Sequence, residues 1–220
     1  MITVAILSQK GGAGKTTLAV NLAAAAELKK MSAAVIDLDP QASATAWGDS
    51  RQGETPAVVS AQAARLPKIL GTCRDNGADF VIIDTAPHVE NSALVAARAA
   101  DLIIVPCRPS IVDLRAIESS VNISTLAGKP VCVVLNQVPP RGTLAAEAGE
   151  ALKELSARLS PVQIGNRIAF IHAFTDGLGV VEYEPAGKAA SEISRLFGFI
   201  LKTVKDSKHG KEKQSSRRAA

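Results

Sequence analysis

The sequence predicts an α/β fold in three layers, a mostly parallel twisted sheet flanked by helices on both faces. Three observations carry this. Of the 220 residues 47% are hydrophobic but only 3% aromatic, so the interior is built from Val, Ile, Leu and Ala, the composition of sheets covered on both sides. Short β-branched runs recur, each followed by a stretch of helical pattern, which is the rhythm of βαβ units. These runs are continuously apolar and do not alternate, as strands buried on both faces require.

In chain order, Ile2 to Leu7 reads as the first strand, and a glycine-rich turn leads from it into a helix over 16–30. Ala34 to Ile36, Phe80 to Ile83, Leu102 to Val105 and Val131 to Leu135 are the next strands. Helical patterns fit at 60–76, 91–100, 113–127, 143–158 and 186–204. Residues 1–205 form one domain, since three-layer folds of this length need no second core. Residues 206–220 are expected to be a basic tail without structure.

The formal net charge of +4 is unevenly placed. Residues 202–220 hold seven of the 25 basic residues and two of the 21 acidic ones, which leaves 18 against 19 in the body. The tail either holds an anionic polymer or surface non-specifically, or is simply solvated. Cys73, Cys107 and Cys132 lack metal-ligand or disulfide spacing. With no secretory leader pattern and no run of 18 apolar residues, a soluble cytoplasmic protein is expected.

In a parallel sheet, ligands lie beyond the carboxyl ends of the strands. The chemically loaded stretches fall there: Gln9 to Thr17 after the first strand, Asp37 to Gln41 after the second, Asp84 to Pro87 after the third, Pro106 to Asp113 after the fourth and Asn136 after the fifth. The stretch "SQKGGAGKTT" is a phosphate-binding loop between strand and helix: Gly11, Gly12, Ala13 and Gly14 bring backbone N–H groups close to an anion, Lys15 reaches its outer oxygens, and Thr16, followed by Thr17, offers Mg²⁺ a hydroxyl. Its first position is Gln9 where the standard loop has glycine, and Lys10 supplies a second lysine. Asp84, ending a hydrophobic strand beside this loop, suits a metal ligand or its water shell. Asp39 suits an attacking water, whereas Asp37 is equally a structural residue. Arg108, Ser110 and Asp113 shape the same rim.

"KGGAGKT" resembles the deviant Walker A motif of the ParA/MinD/Soj group of P-loop ATPases, and "VIDLDPQAS" and "FVIIDTAP" resemble its two acidic motifs. The resemblance spans roughly residues 1–200 and is dense in those motifs. It implies that ATP and Mg²⁺ are the cofactors, that Lys15, Lys10 and Asp39 carry the chemistry, with Lys10 crossing to the ATP of a second copy, and that Thr16 and Asp84 serve the metal. It places Asn136 at the adenine edge, a position where ordinary turn chemistry also fits. It further implies a homodimer closed by ATP, non-specific DNA binding through segments containing Arg167 and Lys188, and a centromere-binding ParB-type partner that stimulates hydrolysis. The job implied is partition of plasmid or chromosomal DNA.

Two related jobs compete. A positioner of another large cargo would look alike. A membrane positioner of the MinD kind would need a terminal amphipathic helix, and Ile193, Leu196, Phe197, Ile200, Leu201 and Val204 form an apolar stripe at helical spacing that either packs on the sheet or meets lipid. The packing reading leads, so a membrane partner is not expected. Residues 85–95 lack the cysteines of a nitrogenase iron protein, and no insertions of an amidoligase are found.

Overall fold

The computed structural model describes residues 1–87, 89–153 and 157–218, with side chains described as far as 208. In chain order the elements are β1 (Ile2–Ile6), α1 (Lys15–Leu28), β2 (Ala33–Asp37), α2 (Ser43–Ser50), β3 (Ala57–Ser60), α3 (Leu66–Asp75), β4 (Phe80–Asp84), α4 (Glu90–Ala99) and β5 (Leu102–Cys107). They continue with α5 (Ile111–Ala127), β6 (Val131–Leu135), α6 (Leu144–Leu152), β7 (Arg158–Leu159), α7 (Ala169–Thr175), α8 (Val180–Tyr183) and α9 (Lys188–Arg218).

The strands form one parallel sheet in the order β3-β2-β4-β1-β5-β6-β7. Successive side chains of a strand face opposite ways, so β1 divides its residues between two cores. Val4 and Ile6 join Val35, Ile82 and Ile104 beneath α1 and α9. Ala5 and Leu7 join Ile36, Ile83 and Val105 beneath α3, α4 and α5. Helix α1 touches the sheet on one side and α8 and α9 on the other. That double cover explains why "LAVNLAAAA" is apolar on every face but for Asn21, and why its alanines from Ala23 to Ala26 are buried.

The apolar stripe of α9 belongs to this core: Ile193, Leu196, Phe197, Ile200 and Val204 are buried, and Phe197 meets Phe80 edge-on at 5.0 Å. It is therefore used up in packing. Among the described residues no helix is long and apolar enough to cross a membrane.

Several boundaries differ from expectation. The expected helix over 143–158 closes as α6 at Leu152, residues 154–156 lie outside the described residues, and Arg158–Leu159 pairs with β6 as a short strand. Residues 206–218, expected to lack structure, continue α9 as helix; they contain no proline and are rich in the helix formers Lys, Glu, Gln and Arg. Residues 219–220 lie outside the described residues. Strand β3 and helices α2, α7 and α8 were not anticipated, being short and without a clear apolar period.

Candidate functional site

The carboxyl ends of β1, β2, β4, β5 and β6 meet along one edge. The loop after β1 enters α1 through Gly12 and Gly14, both left-handed with φ of 73° and 88°. Gly14 suits this position, because its φ strains any residue with a side chain and a Cβ there would lie 2.3 Å from the side-chain nitrogen of Asn136, which would have to move. Beside this loop opens a cleft of about 510 Å³ lined by the loop glycines, Lys15, Thr16, Thr17 and Asp39, and closed on its far side by Phe170, Ile171 and Phe174 of α7. A recess of about 240 Å³ containing Asn136, Gln137, Asn166 and Arg167 also borders Gly14 and Phe170. A larger cleft of about 770 Å³ lies between the β2 end, β3 and α3. It shares Asp39 but contains none of the glycine-rich loop, so the residues singled out in the sequence gather at the smaller one.

Lys15 is buried at the start of α1, and burial lowers its pKa against the raising pull of Asp84 and Asp39. Thr16 donates its hydroxyl to Asp84 Oδ2 at 2.6 Å. Asp84 is fully buried, and burial pushes its pKa up to about 7, with Thr16 and Lys15 opposing and Asp37 and Asp39 adding to the rise. Its second oxygen, Oδ1, is buried without a hydrogen-bond partner. A carboxylate oxygen left bare next to a threonine hydroxyl at a phosphate loop is the donor set of a hard, oxygen-ligated cation. These residues fit Mg²⁺ accompanying a nucleoside triphosphate.

Asp37 is structural. Its carboxylate accepts from Asp39 N, Thr45 N and Thr45 Oγ1, each at 3.0 Å, and so fixes both the loop after β2 and the start of α2. The loop thus held presents Asp39, whose Oδ1 accepts from Gln41 N at 3.0 Å, at the cleft.

Lys10 does not line its own cleft. Its ammonium lies 2.8 Å from Asp113 Oδ1, on the side of the loop facing β5 and α5. Asp113 also receives Arg108 and the Ser110 hydroxyl. Burial would raise the Asp113 pKa, but those three donors outweigh it and hold the carboxyl below its usual range.

Asn136 is buried and donates Nδ2 to the carbonyl of Ala13 at 2.7 Å. Arg167 forms a two-pronged ion pair with Glu192, and Lys188 is exposed at the start of α9, away from both cavities. Sequence reasoning missed the α7 wall, although Phe170 and Phe174 stand four apart on one helix face, and it missed Gln137.

A model of the CobQ/CobB/MinD/ParA nucleotide binding domain family matches residues 4–217. The chain belongs to that family. Within it, the chain is 35% identical over 199 residues to the maintenance of carboxysome distribution protein A of Gloeobacter kilaueensis, covering 86% of this chain and 87% of that one. Two solved structures share the fold. The septum site-determining protein MinD of Pyrococcus horikoshii, complexed with Mg-ADP, superposes with a TM-score of 0.74 at 18% identity, covering 94% of this chain and 98% of that one. Cobyrinic acid a,c-diamide synthase of Mycobacterium smegmatis, with bound ATP analog and magnesium, gives 0.75 at 16% identity, with 93% and 96% covered. In this ParA/MinD-type nucleotide-binding domain the glycine-rich loop lies between β1 and α1.

Proposed function

We propose that this protein is a Mg²⁺-dependent ATPase acting as a dimerising switch that positions a large cargo along DNA. The observation that carries the reading is the division of labour between two lysines: Lys15 lines the cleft of its own copy, whereas Lys10 is outside that cleft and rests on Asp113. A triphosphate held by the first copy is served by its own Lys15, and the second lysine is left for the nucleotide of a facing copy. To reach it, Lys10 exchanges one anionic partner for another.

Positioning and charge neutralisation are what phosphoryl transfer asks of a protein. The loop N–H groups and Lys15 bind the phosphates, Asp39 orients the attacking water, and α7 covers the cleft. Mg²⁺, held by Thr16 and Asp84, would offset the charge of the outer phosphates. Closure by ATP and release on hydrolysis make the enzyme a timer.

The burial of the α9 stripe weighs against a membrane track and favours DNA, met by the basic C-terminal segment and by Lys188. Arg167 is a weaker DNA contact, because Glu192 already neutralises it. For the cargo, likeness to a carboxysome distribution protein over most of both chains favours a body of the carboxysome kind. Partition of a plasmid or chromosome with a ParB-type partner is the second reading, and it uses the same switch.

The test is retention on DNA-coated beads beside anionic liposomes. Asp39→Ala is expected to bind DNA durably with ATP and not with ADP, and to elute as salt rises, because released counterions drive such binding. Retention indifferent to nucleotide, or retention on liposomes alone, would overturn the DNA-track reading.

A further inference from the structure

The end of β6 holds the phosphate loop through two consecutive side chains. Asn136 donates Nδ2 to the carbonyl of Ala13 at 2.7 Å, and Gln137 donates Nε2 to the carbonyl of Gly12 at 3.0 Å. Adjacent residues of an extended strand face opposite ways and could not both reach one loop. Gln137 breaks that alternation: its φ of 54° is left-handed, a conformation costing a non-glycine residue about 1 kcal/mol or more. The backbone on either side secures it, with Asn136 N donating to Cys107 O at 2.8 Å and Val138 N to Ile164 O at 2.9 Å.

From this geometry we infer that Asn136 and Gln137 are positioning residues that clamp the phosphate loop in its anion-binding shape. In a trans peptide the C=O and the following N–H point in opposite directions. Drawing the carbonyls of Gly12 and Ala13 toward β6 therefore turns the N–H groups of Ala13 and Gly14 the other way, where they serve phosphate oxygens. The close approach of Asn136 to Gly14 is the same clamp seen from the loop: a residue without Cβ lets the amide in. Asn136 accordingly acts on the phosphates of any nucleotide, whatever its base.

This inference rests on the nucleotide reading and is tested by measuring, in calorimetry with Mg²⁺, the affinity of the full chain for a non-hydrolysable ATP analogue and for inorganic tripolyphosphate, which has no base. Losing one donor that fixes a loop carbonyl is expected to weaken both probes by the same factor, about tenfold, in Asn136→Ala and also in Gln137→Ala, whose half-exposed side chain makes misfolding no obstacle. Asn136→Leu and Gln137→Met roughly keep the volume and remove the donor without adding a charge, so they reproduce the loss, whereas a role in packing alone would leave them near wild type. The clamp is overturned if the nucleotide weakens while tripolyphosphate does not, which would make Asn136 a base contact, or if neither probe changes. A wild type that binds neither would overturn the nucleotide reading and the clamp together.

Discussion

Asp84 shows how a single residue can be costly alone and useful when loaded. Its pKa rises from a carboxylate's ordinary value to about 7, chiefly through burial. Between those two values the folded chain keeps a proton that the unfolded chain releases, so this group's contribution to stability falls as pH rises to 7 and stays lost above it. Asp84→Asn is predicted to raise the melting temperature of the nucleotide-free protein at pH 8 by several degrees, with little change at pH 4, while removing the Mg²⁺ dependence of nucleotide binding. Melting curves at the two pH values check the first part, and titrations with and without Mg²⁺ the second. Lys10 is the converse case, since it already has a partner in Asp113. In the proposed dimer, closing two copies over ATP would exchange one ion pair for another and would not strand a charge.

At the level of elements, the loop carrying Asp39 is held from both ends. Asp37 pins its start, and α2, which follows it, is fastened to the α7–α8 turn: Arg51 pairs with both oxygens of Glu182 at 2.8 and 3.0 Å and donates to Gly177 O, and Trp47 Nε1 donates to Leu178 O at 3.2 Å. The guanidinium also lies 4.7 Å from the centre of the Trp47 ring. Because Arg51 is nearly buried and Glu182 only partly so, Arg51→Ala is predicted to cost about 2 kcal/mol, or roughly 4–8 °C in melting temperature. The double change with Glu182→Ala should cost clearly less than the two single changes summed, which a double-mutant cycle measures. None of this network was legible in the sequence. "SATAWGDS" has no helical period, and Arg51 and Glu182 stand far apart along the chain, as do Lys10 and Asp113, or Asn136 and Ala13. By contrast the central strands and the loop after β1 were legible, because apolar runs and glycine spacing are local signals. Asn136 was read at the adenine edge from the family resemblance and its place after the fifth strand, signals that could not show its amide turning to the loop.

For the whole molecule, the strand order β3-β2-β4-β1-β5-β6-β7 brings stretches from residue 11 to residue 175 onto one edge. Burial of the α9 stripe beneath that sheet makes the helix, as far as Val204, part of the domain. The account stands on Lys10 acting across two copies. Its most direct test is the mass of the particle in solution, by light scattering, with saturating non-hydrolysable ATP analogue and Mg²⁺. The prediction is a dimer for the wild type and, for Lys10→Ala, a monomer that still binds the analogue. A wild type that stays monomeric, or a Lys10→Ala variant that dimerises equally well, would contradict it.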